Sequence, residues 1–230
     1  MNKKLLKASF INTLPVLAGY MAIGISFGIL LSVKGYGVLW ALAMSLFIYA
    51  GSMQILAIDL LGGAASLISA AILTLMVNAR HLFYGISMID KYKGMGKKKP
   101  YLIFALTDET YSLVCSGKAP EGVNKDAYFL LVSLFNHCYW IVGSVIGSLI
   151  GSMITFNSEG LEFAMTALFV TVFVEQWRST KNHIPALVGV ATSVVCLIIF
   201  GAGNFLIPTM MSITLVLGLL QKKIGGERGE

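Results

Sequence analysis

The sequence predicts an all-α fold, a polytopic transmembrane helical bundle with about six full spans plus two broken or re-entrant segments. Three observations carry this expectation. Of the 230 residues, 57% are apolar before the 24 glycines are counted, and only 12% are charged. A soluble domain is about 45–50% apolar with glycine included and about 25% charged. Uncharged stretches run over 8–33, 35–58, 60–79, 127–158 and 184–221, against the roughly 20 apolar residues that a helix needs to cross the hydrocarbon core. The basic residues behind the net charge of +6 sit in short tracts between apolar runs, a pattern of topology control rather than of a nucleic-acid surface. A soluble enzyme, a disordered chain and a disulfide-stapled secreted domain are excluded. A single integral membrane domain over 1–230 in the cytoplasmic (inner) membrane, bathed in lipid and with no nucleic-acid partner, is expected.

The first span follows Lys3, Lys4 and Lys7. Its uncharged run, 8–33, exceeds the roughly 7–15 residues of a signal-peptide core, so it is expected to stay in the mature protein. The positive-inside rule puts this tract in the cytoplasm, with Lys91, Lys93, Lys97, Lys98 and Lys99, and with Lys222, Lys223 and Arg228. Both termini are then cytoplasmic. An even number of crossings must separate the first two tracts, yet three apolar segments lie between them: 10–33, 37–62 and 64–89. Segment 37–62 is the one expected to turn back. Its middle reads Tyr49-Ala-Gly-Ser-Met-Gln54, small and polar where a plain span would be Leu, Ile or Val. Non-helical backbone at that depth requires protein or a wet cavity around it. The alternative is an ordinary span kinked at Gly51, which would place the lysine tract outside.

The second half yields spans at 127–155, 159–178, 184–200 and 204–221, the last two separated near Gly201-Ala-Gly203-Asn204 with Pro208 beyond. Counting back from a cytoplasmic C-terminus puts 118–126 inside. Segment 100–117, with Asp108-Glu109 in its middle, then also enters and leaves on one side, or never enters. Re-entry from opposite faces would suggest inverted halves, but no sequence repeat supports that.

These depths make the polar residues converge. Arg80 falls roughly 5 Å past the midplane of 64–89 at 1.5 Å per residue. A central arginine costs about 2.5–3.5 kcal/mol on insertion scales, so it is expected to face a partner. Asn78, His81 and Tyr84 lie within about a turn of it. A helix entering after Pro100 carries Asp108 and Glu109 roughly 12 Å inward, and 37–62 brings Gly51, Ser52 and Gln54 down by about 18 Å from the other face. Intramembrane ionisable groups mark functional sites by default. An Arg–carboxylate bridge that only fixes the fold is the plainer reading.

A zwitterionic amino acid suits such a place. Its carboxylate needs an arginine or a half-helix N-terminus, and its ammonium needs a carboxylate or carbonyls. Tyr49, Gly51, Ser52, Gln54, Asn78, Arg80, His81 and Tyr84 are therefore the candidate substrate-binding residues. Asp108 and Glu109 are the candidates for ammonium binding or for a coupled proton, which a buried carboxyl can hold.

Other chemistries have little support. Cys115, Cys138 and Cys196 are odd in number, widely spaced and lack metal-ligand spacing. They read as packing residues, and no metal or cofactor is expected. There is no phosphate-binding GxxxxGK[ST] loop. Ala50-Gly-Ser-Met53 is not a nucleophile elbow. His137, in Asn136-His-Cys-Tyr-Trp140, reads first as a packing residue. Glycines 143, 147 and 151 with serines 144, 148 and 152, and Gly24 with Gly28, form small-residue stripes that allow close helix approach. The stripes leave open whether the neighbour belongs to this chain or another.

Several blocks together, Pro15…Gly19-Tyr20…Gly24…Phe27-Gly28, Tyr49-Ala-Gly-Ser-Met-Gln54, Asn78-Ala-Arg-His-Leu-Phe-Tyr-Gly85 and Thr107-Asp-Glu109, resemble the AzlC family of membrane proteins over nearly the whole chain. That resemblance implies the large subunit of a branched-chain amino acid exporter working with a small membrane partner of the AzlD type. It offers such a partner for the glycine stripes. From the residues alone, an alternating-access carrier, a channel-like pore for a small neutral solute and a non-transporting subunit all stay open.

Overall fold

The computed structural model describes residues 3–63, 66–116, 119–153, 170, 173–174, 177–178, 182–201 and 205–224. Every regular element among them is a helix. In chain order these are α1 (Lys3–Val33), α2 (Val38–Phe47), α3 (Gly51–Gly62), α4 (Leu67–Ser87), α5 (Lys99–Phe104, led by a short 3-10 turn), α6 (Asp108–Ser116), α7 (Lys125–Met153), α8 (Ile184–Phe200) and α9 (Leu206–Ile224). α1, α4 and α7 are long and apolar enough to cross a membrane. α8 and α9 are shorter apolar helices, parted at Gly201, whose φ of +71° ends α8. The expected span 159–178 lies, apart from a few positions, outside the described residues. The contacts divide the chain into two compact units, Met1–Ala65 with Val77–Met165, and Ser66–Met76 with Thr166–Glu230. In the second, α8 packs on α9, and Trp177 stacks on His183 at 4.1 Å.

α1 and α7 form the axis of the first unit, and they run parallel. At their N-terminal ends Leu5 shares a core with Tyr128 and Phe129. Further along, Phe10 meets Phe135 edge-on at 6.0 Å, and Thr13 Oγ1 lies 3.0 Å from the Tyr139 hydroxyl. At the far ends Ser32 reaches Gly151. The two glycine stripes therefore face each other within one chain. A Cβ built on Gly28 would lie 2.1 Å from the Ser144 carbonyl oxygen, and one on Gly147 would lie 2.1 Å from that of Ile25. Backbones this close allow no side chain, which is the packing that small residues permit between membrane helices. Gly19, on the same α1, has open space where its Cβ would stand.

Both polar-centred segments are broken helices. α2 and α3 are 10 and 12 residues long, about 15 and 18 Å. Tyr36, just before α2, donates its hydroxyl to the Leu61 carbonyl near the end of α3 at 3.3 Å, so the pair folds back as a V with its apex at 48–50. α5 and α6 behave alike. Leu102 and Val114 pack into one core with Leu5, Met88, Tyr92 and Met95, and Lys91 Nζ donates to the Cys115 carbonyl at 2.6 Å. The pair thus begins and ends beside the lysine-rich loop.

The seam gives the first prediction. Gly147→Ala should destabilise the purified protein by about 1–3 kcal/mol, as overpacking does, lowering its thermal unfolding midpoint in detergent. Gly19→Ala should not lower it. Equal midpoints for Gly147→Ala and wild type would contradict the seam.

Candidate functional site

The first break stores backbone strain and is held by α7. Tyr49 has φ of +45°, the one non-glycine residue in that region among the described residues, at a cost of about 1–2 kcal/mol. Its buried ring stacks on His137, with centroids 4.2 Å apart. His137 Nε2 lies 3.1 Å from the Ser45 carbonyl oxygen. A carbonyl only accepts, so Nε2 carries a proton there, and Nδ1 is free to accept from the Tyr101 hydroxyl at 3.0 Å. Three residues on, Trp140 Nε1 donates to Gln54 Oε1 at 2.9 Å. A Cβ on Gly51 would press on that indole at 2.9 Å, so glycine is what lets α3 start there. No side chain caps the N-terminus of α3.

The second break is built on Thr107. Its Oγ1 accepts the Thr110 amide at 3.3 Å, which is how threonine caps a helix. Its hydroxyl lies 2.6 Å from that of Tyr20. The Tyr20 hydroxyl also lies 2.8 Å from Glu109 Oε2. Asn136 Nδ2 donates to Thr110 Oγ1 at 3.0 Å. The Tyr49 hydroxyl is buried without a hydrogen-bond partner.

Arg80 joins the two breaks. Its Nη1 forms an ion pair with Asp108 Oδ2, and its Nη2 donates to Ser52 Oγ at 2.8 Å. The side chains of Arg80 and Asp108 are 38% and 25% exposed. Asp108 and Ser52 both lie in the first turn of a short helix, where N–H groups lack partners in the helix and the dipole favours an anion. Arg80 Nε and Asp108 Oδ1 are buried without a hydrogen-bond partner. The pair thus keeps one unused donor and one unused acceptor.

Three of the sequence-selected residues, Ser52, Arg80 and Asp108, are brought into one bonded cluster. Glu109 sits beside them on Tyr20. Tyr49, Gly51 and Gln54 are engaged with α7, and Gln54 is wholly buried, also donating to Ser45 Oγ at 3.4 Å. His81 Nδ1 lies 3.2 Å from the Asn78 carbonyl on its own helix. Tyr84 stacks on Tyr111 at 4.5 Å, and Ser87 donates to the Tyr111 hydroxyl at 3.0 Å. Sequence reasoning did not select Tyr20, Thr110, Asn136 or Trp140 for the site. The available signal was a polar or amphipathic side chain in the middle of an otherwise apolar helix. Among the described residues no group of three His, Cys, Asp or Glu could hold a metal ion.

Known proteins resemble this chain along most of its length. The profile of the family described as AzlC protein matches residues 15–154. The branched-chain amino acid transport protein AzlC of Bacillus subtilis is 46% identical, over 95% of this chain and 86% of its own length. An uncharacterized membrane protein of Helicobacter pylori (strain 26695) is 44% identical over 96% of this chain and 97% of its own. The inner membrane protein YgaZ of Escherichia coli is 25% identical over 74% and 73%. No solved structure matches. With the family profile matched over residues 15–154 and similarity along nearly its whole length, the chain belongs to the AzlC family.

Proposed function

We propose that this chain exports branched-chain or related amino acids across the cytoplasmic membrane by alternating access, with Arg80, Asp108, Ser52 and the N-termini of α3 and α6 as the substrate site. The observation that carries this is the incomplete ion pair, which leaves Arg80 Nε and Asp108 Oδ1 unfilled. A zwitterion has the complementary groups: its carboxylate meets Arg80 and the two helix N-termini, and its ammonium meets Asp108. Short half-helices pointing their N-termini at a substrate carboxylate near the membrane centre are a recurrent transporter solution. The printed name of the Bacillus relative favours branched-chain amino acids. A small membrane subunit of the AzlD type is the expected partner. Tyr49, Gly51 and Gln54 shape the break, and Asn78, His81 and Tyr84 complete the α4 wall.

The topology follows from the same geometry. α1 and α7 are parallel, so the chain between them crosses an odd number of times. Two V-shaped pairs that return to their starting side leave α4 as that crossing. Each V, with arms of about 9–18 Å, reaches part-way into a core of about 30 Å. The lysine tracts then fall in the cytoplasm, with the outward-facing apolar side chains such as Leu39, Leu75 and Ile198 against lipid.

Two measurements test the proposal. Cells expressing the chain with its small partner are preloaded with labelled leucine, and efflux is followed. Arg80→Ala and Asp108→Asn should each slow efflux about tenfold or more at equal membrane abundance, the weight of one charge-assisted hydrogen bond of about 1.5–3 kcal/mol. Wild-type rates in both would remove the site. Lys97→Cys in a cysteine-free background should resist a membrane-impermeant thiol reagent in intact cells and react in inverted vesicles. Labelling from outside would overturn the topology.

A further inference from the structure

Lysines that set topology act while the chain inserts, and that role asks for charge but not for a fixed shape. In this protein they are held in place. The segment after α4 turns Met88, Tyr92 and Met95 inward, each no more than 4% exposed, into one core with Leu5 of α1, Val114 of α6 and Phe129 of α7. Lys93, Lys97 and Lys125 stand exposed around that core, and Lys98 is partly exposed. Two ammonium groups share the buried ring of Phe129. Lys91 Nζ lies 5.6 Å from its centroid and Lys125 Nζ 5.8 Å, within the reach of a cation–π contact. Lys4 Nζ donates to the Glu121 carbonyl at 2.8 Å. Lysines from α1, from the loop after α4 and from the start of α7 are thus fixed around one apolar base.

Their charge is not balanced by the chain. Over 1–7, 88–99 and 119–126 the sequence carries nine lysines against three carboxylates, Asp90, Glu121 and Asp126. Among the described residues none of Lys93, Lys97, Lys98 and Lys125 forms an ion pair. Helix length sets their depth. α1 and α7 have 31 and 29 residues, or about 43–47 Å at 1.5 Å per residue. A bilayer with its headgroups measures about 40–45 Å. Lys3 and Lys125, the first residues of these two helices, therefore reach the level of the lipid phosphates. Lys34 follows the other end of α1.

We propose that this lysine-ringed end is a binding surface for anionic phospholipids, with their phosphates against Lys93, Lys97, Lys98 and Lys125 and their acyl chains along the exposed apolar side chains of α1, such as Leu6 and Ile11. The argument for this occupant is complementary charge at matching depth. Anionic headgroups are the counter-charges that a membrane supplies at that level, and a basic surface beside spanning helices draws them from the surrounding lipid. A fixed array concentrates the attraction on one place, where a loose basic loop would spread it. That these lipids belong to the cytoplasmic leaflet rests on the topology proposed above. The preference for anionic over neutral lipid does not.

Electron spin resonance on the full-length protein in phosphatidylcholine vesicles tests the surface. A trace of spin-labelled phosphatidylglycerol or spin-labelled phosphatidylcholine reports how much of each lipid is held at the protein. At low salt phosphatidylglycerol should be held about fivefold or more over phosphatidylcholine, the weight of one lysine beside a charged surface. The preference should fall toward one as salt rises from about 0.01 M to about 1 M and the screening length drops from about 30 Å to about 3 Å. Lys93→Gln, Lys97→Gln, Lys98→Gln and Lys125→Gln combined should abolish the preference. The same four positions changed to arginine should keep it, and so should Lys34→Gln at the other end of α1. A wild type without preference at low salt would overturn the proposal and leave the surface to an acidic protein. An unchanged preference in the glutamine variant would overturn it too. Equal loss in Lys34→Gln would reduce the effect to net charge, and loss in the arginine variant would trace it to packing; either result overturns the surface. Labelling of Lys97→Cys from outside intact cells, with the preference retained, would leave the lipid surface standing and sink the topology instead.

Discussion

Backbone that stops being helical inside an apolar layer leaves amides and carbonyls without partners, at about 1–3 kcal/mol for each buried group. In this protein one face of α7 meets that demand. Asn136 holds α6 through Thr110, His137 caps the C-terminal carbonyl at Ser45 of α2 and accepts from Tyr101 of α5, and Trp140 holds α3 through Gln54. These side chains lie within about one turn of α7, so a single short surface secures four half-helices. That surface in turn needs a fixed position, which the glycine seam between α1 and α7 provides. The strained backbone at Tyr49 is tolerable only because its ring is clamped against His137. Strain of this kind persists where the surroundings over-determine it.

α4 is held differently. Of its side chains only Leu73 is buried. Its ties to the half-helices are the Arg80 bonds to Asp108 and Ser52, the Tyr84–Tyr111 stack and the Ser87 bond to Tyr111. In the proposed mechanism a zwitterion competes for the same groups that fasten α4. Substrate binding and the freedom of α4 are then linked, because a ligand shifts a conformational equilibrium only through groups that it contacts differently in the two states.

Much of this was legible in the sequence, for physical reasons. The break in 37–62 showed itself because Tyr-Ala-Gly-Ser-Met-Gln is a poor run for a lipid-facing helix. Arg80 and Asp108 were placed at one depth by helix rise alone, and the structure pairs them. What rise does not encode is rotation about the helix axis. Gln54 stands just past the break, but it turns into α7 and is sealed there, and His81 turns to its own backbone. Tyr20 escaped selection because one hydroxyl on an apolar helix makes no pattern until its partners from α6 are known. The glycine stripes announced a close neighbour without naming it, and the neighbour is within the chain.

The central claim is that the meeting point of the two breaks is where substrate binds. The most direct test is protection of a single cysteine, Ser52→Cys in a cysteine-free background, from a small thiol reagent in membranes. Leucine should slow the labelling in a saturable way while lysine does not, and Arg80→Ala in the same background should abolish the protection. Labelling of Ser52→Cys at one rate with and without leucine, in protein shown to move leucine, would place the substrate elsewhere and contradict the account.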